Sequence, residues 1–297
     1  MPESQFQNGH FYPISAPCSS FNPRNIQYIP VVKTSAFLDL EQISADFEIE
    51  RFEAGSREIN FLVKVIRKSC AEGAREAQGL TVIIDVFRAF SCQPLFFHFG
   101  AERVILEASP EKAIQLRHEN PEFIMIGEVN EVPIKGAEMG NSPSQIIQRG
   151  EAYFRNKTIV HRTTAGVTGA VAACETADEV ILGSFVMAGA IAKYIKYKNP
   201  DKVTMVAMGD RAETKAPEDE ACAEYLEHLL AGSTYDPIRA FKKIVFQPTA
   251  QKFIQGKKTY LPREDPIFCL QPNIFDFVLE ARKVRNRLEV FKVVFDS

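Results

Sequence analysis

Apolar positions along the chain fall into short runs separated by amphipathic stretches. Residues 80–86, LTVIIDV, are almost continuously apolar with a carboxylate near the end. Such a run predicts a parallel strand buried on both faces. The same pattern predicts strands over 104–108 (VILEA), 123–129 (FIMIGEV), 157–164 (KTIVHRTT), 179–185 (EVILGSF) and 202–210 (KVTMVAMGD). Helical stretches lie between them: one with Pro94 in its first turn, one over 110–119, a Gly/Ala-rich one to about Ala177, one over 188–197 and one over 217–231. Upstream, Ile59, Leu62, Val63, Val65, Ile66 and Cys70 recur at roughly helical spacing and predict a helix over 57–77. Residues 46–54 read as a short extended segment, and 268–294, which mix strand-like and helix-like stretches, as a closing segment. The alternation predicts an α/β fold: three-layer α/β/α with a mixed, largely parallel sheet.

The first thirty residues break this pattern. Pro13, Pro17, Pro23 and Pro30 mark an irregular arm, yet Phe6, Phe11, Tyr12, Phe21 and Tyr28 require something to pack on. The expected organisation is an N-terminal extension over 1–55, packed on the body or on the neighbouring subunit of a possible homodimer, followed by one α/β domain over 56–297. Net charge is −3, from 35 basic and 38 acidic residues, so no basic excess points to nucleic acid, and an anionic ligand needs local positive charge. The six cysteines include no CxxC pair and read as scattered reduced thiols. No secretory leader and no apolar span of membrane length is visible, so the expectation is a cytoplasmic protein with no membrane partner.

In an open α/β sheet, ligands bind beyond the carboxyl ends of strands, so the polar residues after each apolar run are the candidates. The first are Asp85, Arg88 and Ser91. A carboxylate there holds a metal or acts as a base, and an arginine forks onto phosphate; an Asp–Arg pair stapling a loop is an equal alternative. Glu128 closes the 123–129 run. Gly140, Asn141, Ser142 and Pro143 then make a polar turn that presents N–H groups, an amide and a hydroxyl, or simply caps the helix at Ser144. Thr163, Thr164 and Gly166 lie between strand and helix in RTTAGVTGA, as an anion site or as a tight turn of small residues. That spacing is neither the Walker pattern nor GxGxxG. Glu218, Asp219 and Glu220 open a helix, where capping alone accounts for them.

Taken in order, D-x-x-R-A-x-S, G-E, G-N-S-P, T-T-x-G, G-S and E-D at a helix start resemble the 2-phosphosulfolactate phosphatase family, from about Leu80 to Leu230, with the FCL segment near 268–270 compatible. The resemblance implies a magnesium-dependent phosphatase acting on a small-molecule phosphoester, a sulfonated hydroxy acid in that family. It implies Asp85, Arg88 and Glu128 as catalytic and Ser91, Asn141, Ser142, Thr163, Thr164 and Gly166 as substrate-binding. Asp85, Glu128 and Asp219 are implied as ligands of Mg2+. On this reading Asp85, Glu128, Asn141 and Thr164 converge in space, and Arg88 contacts the anion. The chain departs from the family pattern at Cys92 and Gln93, where threonines are usual, at Ala165, where Asn is usual, and at Val129, where Arg is usual. Those departures favour the alternative of a non-catalytic paralogue that binds a small anion or a protein partner. A cysteine phosphatase fails because Arg88 precedes Cys92, and a haloacid-dehalogenase-like site fails because Phe87 stands where a second Asp is needed. His161 is the one histidine near the candidate residues, with a structural role expected.

Overall fold

All five residues Leu80–Ile84 are buried, and since successive strand residues point to opposite faces, both faces of this strand are covered. The computed structural model describes residues 63–295; the expected extension over 1–55 and the extended segment over 46–54 lie outside the described residues. The elements begin with β1 (Lys64–Ser69), α1 (Cys70–Arg75), β2 (Leu80–Ile84), α2 (Ala89–His98), β3 (Arg103–Leu106), α3 (Pro110–Glu119), β4 (Ile124–Val129) and β5 (Val132–Pro133). They continue with α4 (Pro143–Arg149), α5 (Glu151–Phe154), β6 (Thr158–Arg162), α6 (Gly166–Ala173), β7 (Glu179–Gly183), α7 (Ala188–Lys198) and β8 (Lys202–Ala207). Last come α8 (Pro217–Ala231), α9 (Pro237–Val245), α10 (Pro248–Ile254), α11 (Asp265–Cys269), β9 (Val278–Val284) and β10 (Arg287–Val293). The α/β class and the mixed, largely parallel sheet follow the expectation, and no described helix is long and apolar enough to cross a membrane.

The strands form a 10-stranded sheet in the order β1-β8-β2-β7-β9-β10-β3-β6-β4-β5. β1, β8, β2 and β7 are mutually parallel, as are β3, β6 and β4. The hairpin β9–β10 stands between them: β9 is antiparallel to β7, β10 to β9, and β10 to β3. The two parallel groups therefore run in opposite directions. Twist of roughly 20–25° per strand accumulates between β2 and β4, and helices cross between the groups. α6, which leaves β6, packs on β2, while α2, which leaves β2, packs on α4. Small residues permit the approach: a Cβ on Gly169 would lie 2.2 Å from Met208 Sδ. Phe96 seals the crossing, with its ring 5.7 Å from Phe154 and 5.4 Å from His161.

Three expectations need correction. The helix predicted over 57–77 is, over its described residues, strand β1 followed by the single-turn helix α1. Val63, Val65 and Ile66 suit either period, and parallel pairing with β8 decides for the strand. Pro94 sits inside α2 and not in its first turn. Proline cannot donate to the carbonyl four residues back; Ser184 Oγ donates to that carbonyl, Phe90 O, at 3.0 Å. The tail is no mere closing segment, since its hairpin is the central seam of the sheet.

Candidate functional site

The crossing brings the loop after β2 against the start of α6. Asp85 Oδ2 accepts from Gly166 N–H at 2.8 Å, and Oδ1 from Ala89 N–H at 3.2 Å. Thr163 Oγ1 accepts from Val167 N–H at 3.0 Å. The anion at this helix N-terminus is thus Asp85's own carboxylate. A Cβ on Gly166 would stand 2.7 Å from Asp85 Oδ2, so glycine is required by close approach. From the first turn of α8, Asp219 accepts from Val86 N–H and Gly209 N–H, each at 2.8 Å, and so ties the loops after β2 and β8 together.

Glu128 is fixed by a turn. Asn130 and Glu131 both adopt left-handed φ, 50° and 72°, in the reversal between β4 and β5. Glu128 Oε1 accepts from Thr164 N–H at 2.6 Å, and Oε2 from Thr164 Oγ1 at 3.0 Å and from Glu131 N–H at 2.5 Å. Thr164 Oγ1 also accepts from Asn130 N–H at 3.1 Å and Arg162 Nη1 at 3.0 Å. Its hydroxyl is fully engaged in holding Glu128.

Arg88 is divided between two roles. Nη1 donates to Asp265 Oδ2 at 2.7 Å and to Tyr260 O at 3.2 Å, and the guanidinium lies 5.2 Å from the Phe253 ring centre. Nε and Nη2 have no hydrogen-bond acceptor among the described residues, and Arg88 lines the pocket. Asp265 is fully buried; its Oδ1 also accepts from Ser142 Oγ at 3.0 Å, Ser144 N–H at 3.0 Å and Ser144 Oγ at 2.6 Å. This pair makes Arg88 a staple as well as a pocket residue.

Asp85, Arg88, Glu128, Asn141, Thr163, Thr164, Glu218 and Asp219 all line one pocket of about 60 Å3. The expected convergence of Asp85, Glu128, Asn141 and Thr164 is therefore found. Ser91, Ser142 and Gly166, expected as substrate-binding, do not line it. Ser91 Oγ donates to Val86 O at 2.8 Å, Ser142 serves Asp265 and accepts from Gln145 N–H at 3.3 Å, and Gly166 serves Asp85. Cys92 is buried, and burial pushes its thiol well above the usual range.

Sequence reasoning missed Arg211, three residues of α10 and Asp265. Arg211 lies at the pocket, exposed, with φ 55° and no ion pair among the described residues. It follows directly on the 202–210 run, so the strand-end rule points to it. Thr249, Lys252 and Phe253 reach the pocket from one face of α10. Thr249 Oγ1 donates to Glu218 Oε2 at 2.8 Å, and Lys252 pairs with Glu131. Their i, i+3, i+4 spacing was the available signal. Asp265 had none.

The carboxylates crowd one another. Burial, then Glu128 and Glu218, push Asp85 up to about 7 against the pull of its two N–H donors. Burial first, then Asp85 and Glu218, raise Asp219 well above the usual carboxylate range. Among the described residues no cationic side chain hydrogen-bonds to Asp85 or Asp219, and a proton or a hard cation would relieve them. Among the described residues no group of three His, Cys, Asp or Glu side chains converges to hold one ion. This corrects the expected set of Asp85, Glu128 and Asp219: Glu128 is turned toward Thr164 and Glu131. Two all-oxygen carboxylates still suit Mg2+, which keeps several waters and binds through one or two carboxylates.

The 2-phosphosulpholactate phosphatase family profile matches residues 68–283. A probable 2-phosphosulfolactate phosphatase of Bacillus subtilis (strain 168) is 27% identical over 207 residues, 69% of this chain and 87% of the relative. Another, of Clostridium perfringens (strain SM101 / Type A), is 28% identical over 218 residues, covering 68% and 86%. A third, of Caldanaerobacter subterraneus subsp. tengcongensis, is 35% identical over 128 residues, covering 42% and 52%. With a profile match that covers well over half of the chain, including the crossing helices and every element named above at the pocket, the chain belongs to the 2-phosphosulpholactate phosphatase family.

Proposed function

We propose that the pocket hydrolyses a small anionic phosphomonoester similar to 2-phospho-3-sulfolactate, with Mg2+ held by Asp85 and Asp219. The observation that carries this reading is the meeting of Asp85, Glu128, Asn141 and Asp219, from separate segments of the chain, in one small polar pocket that also receives Arg88 and Arg211. The metal would supply charge neutralisation at the phosphoryl group. Arg88 Nε and Nη2 and the Asn141 amide donate to phosphoryl oxygens, where charge builds as the ester bond breaks. Arg211, whose guanidinium has no ion pair among the described residues, meets a second anionic group of the substrate. Val129, where the resemblance leads one to expect an arginine, is 38% exposed and does not line the pocket. Burial and its carboxylate neighbours push Asp85 up to about 7 without a metal, and bound Mg2+ would displace that proton and hold Asp85 ionised.

The test is phosphate release from 2-phospho-3-sulfolactate and from an aryl phosphate, each with Mg2+ and with a chelator. Release that depends on Mg2+ is expected. Release unaffected by the chelator would remove the metal from the reading. No release from either ester, with inorganic phosphate still bound, would leave the non-catalytic alternative standing.

A further inference from the structure

We propose that Gln93 and His161 are positioning residues that fix which way round the Asn141 amide sits, so that Asn141 offers N–H donors to the pocket and keeps its carbonyl behind. The inference rests on the reading of the pocket as a phosphate-ester site. It starts at Gln93, which is fully buried and whose Nε2 lies 2.6 Å from His161 Nδ1. An amide nitrogen only donates, so Nδ1 is the acceptor and carries no proton. A neutral imidazole then carries its proton on Nε2. That nitrogen lies 2.8 Å from Asn141 Oδ1, which accepts. With Oδ1 turned back to His161, Nδ2 is the other end of the amide; it has no hydrogen-bond partner among the described residues, and Asn141 lines the pocket.

The chain of polarity is enclosed. His161 is fully buried in β6, and the Phe96 ring meets its edge at 5.4 Å and 82°. Burial pushes His161 down to about 3, so the imidazole stays neutral and keeps one donor and one acceptor. Gln93 Oε1 is buried with no partner. Turning the Gln93 amide over would satisfy that oxygen but strand an NH2 group with two donors in its place, the poorer arrangement. A purely structural hydrogen-bond chain has no need of one direction; an anion site does, because a carbonyl facing the anion would repel it.

The experiment reads the tautomer by 15N NMR of histidine-labelled protein and the affinity for inorganic phosphate by titration. Wild type should show His161 as the neutral Nε2–H form, unchanged from about pH 8 to pH 5. A Nδ1–H form, or titration near the ordinary histidine value, would overturn the proposal. Gln93→Glu gives Nδ1 an acceptor, draws the proton there and reverses Asn141. A switched tautomer with phosphate binding about tenfold weaker is expected. A lowered melting temperature with the tautomer unswitched and phosphate affinity unchanged would show a packing role only and refute the proposal. If Gln93→Glu does not fold, Asn141→Asp serves: it still accepts from Nε2–H but turns an oxygen to the pocket. At least tenfold weaker phosphate binding is expected, and unchanged binding would refute the assignment. If wild type binds no phosphate, the pocket reading fails, while the His161 spectrum still decides the direction of the chain.

Discussion

Replacing Asp265 with alanine tests how the site is held. Its carboxylate is 0% exposed and pairs with Arg88, 4% exposed, at 2.7 Å. It also takes three donors from Ser142 and Ser144 at the start of α4. Removing it strands a buried guanidinium, which costs about 3–5 kcal/mol. At roughly 2–4 °C per kcal/mol for a chain of this size, the melting temperature should fall by roughly 10 °C. Arg88→Met should also destabilise, because it strands Asp265. The double variant should lose less than the sum of the two, by roughly 0.5–3 kcal/mol, since each single change leaves the other charge unpaired. Urea denaturation of the four proteins measures the cycle. A cost below about 1 kcal/mol for Asp265→Ala, or strict additivity, would refute the claim that this pair anchors Arg88 and α4.

Arg88→Lys should keep the fold yet weaken inorganic phosphate binding by one to two decades, roughly 1.5–3 kcal/mol, because a point charge cannot serve Asp265 and an anion together; equal affinity with a lower melting temperature would make Arg88 a staple alone. Gly166→Ala should cost about 1–3 kcal/mol and most of the turnover, since the new Cβ meets Asp85 Oδ2 at 2.7 Å; unchanged turnover would show that Asp85's position is not critical. His161, lowered from 6.5 to about 3 by burial, takes up its proton far less readily folded than unfolded. Its contribution is present above about pH 6.5 and is lost as the pH falls toward 3, on the order of 5 kcal/mol in all. Acid titration of stability for wild type against His161→Gln measures it, and parallel curves would contradict it.

The departures from the family pattern acquire physical content in three dimensions. Gln93 reaches His161 and, through it, Asn141. Ala165 stands at the pocket and provides no amide there. Val129 is exposed and does not line the pocket, whereas Arg211, without an ion pair among the described residues, does.

By itself the sequence determined six of the ten strands, β2, β3, β4, β6, β7 and β8, and the helices α2, α3, α6, α7 and α8, because continuous apolar runs and amphipathic spacing leave few alternatives for segments buried on both faces or one. It also singled out Asp85, Glu128, Asn141, Thr163, Thr164 and Asp219, at strand ends, in a loop or at a helix start, and all six line the pocket. Whether a polar residue at such an end faces a ligand or a neighbouring backbone was not legible. Ser91, Ser142 and Thr164 differ only in which donors and acceptors surround them, and those come from distant segments. Only the tertiary structure decided that the two parallel groups run oppositely around the β9–β10 hairpin, since strand pairing depends on long-range register that no local pattern encodes. It likewise decided that α10 closes the pocket and that Asp265 neutralises Arg88, because a buried charge finds its partner through the packing of the whole chain, here across 177 residues.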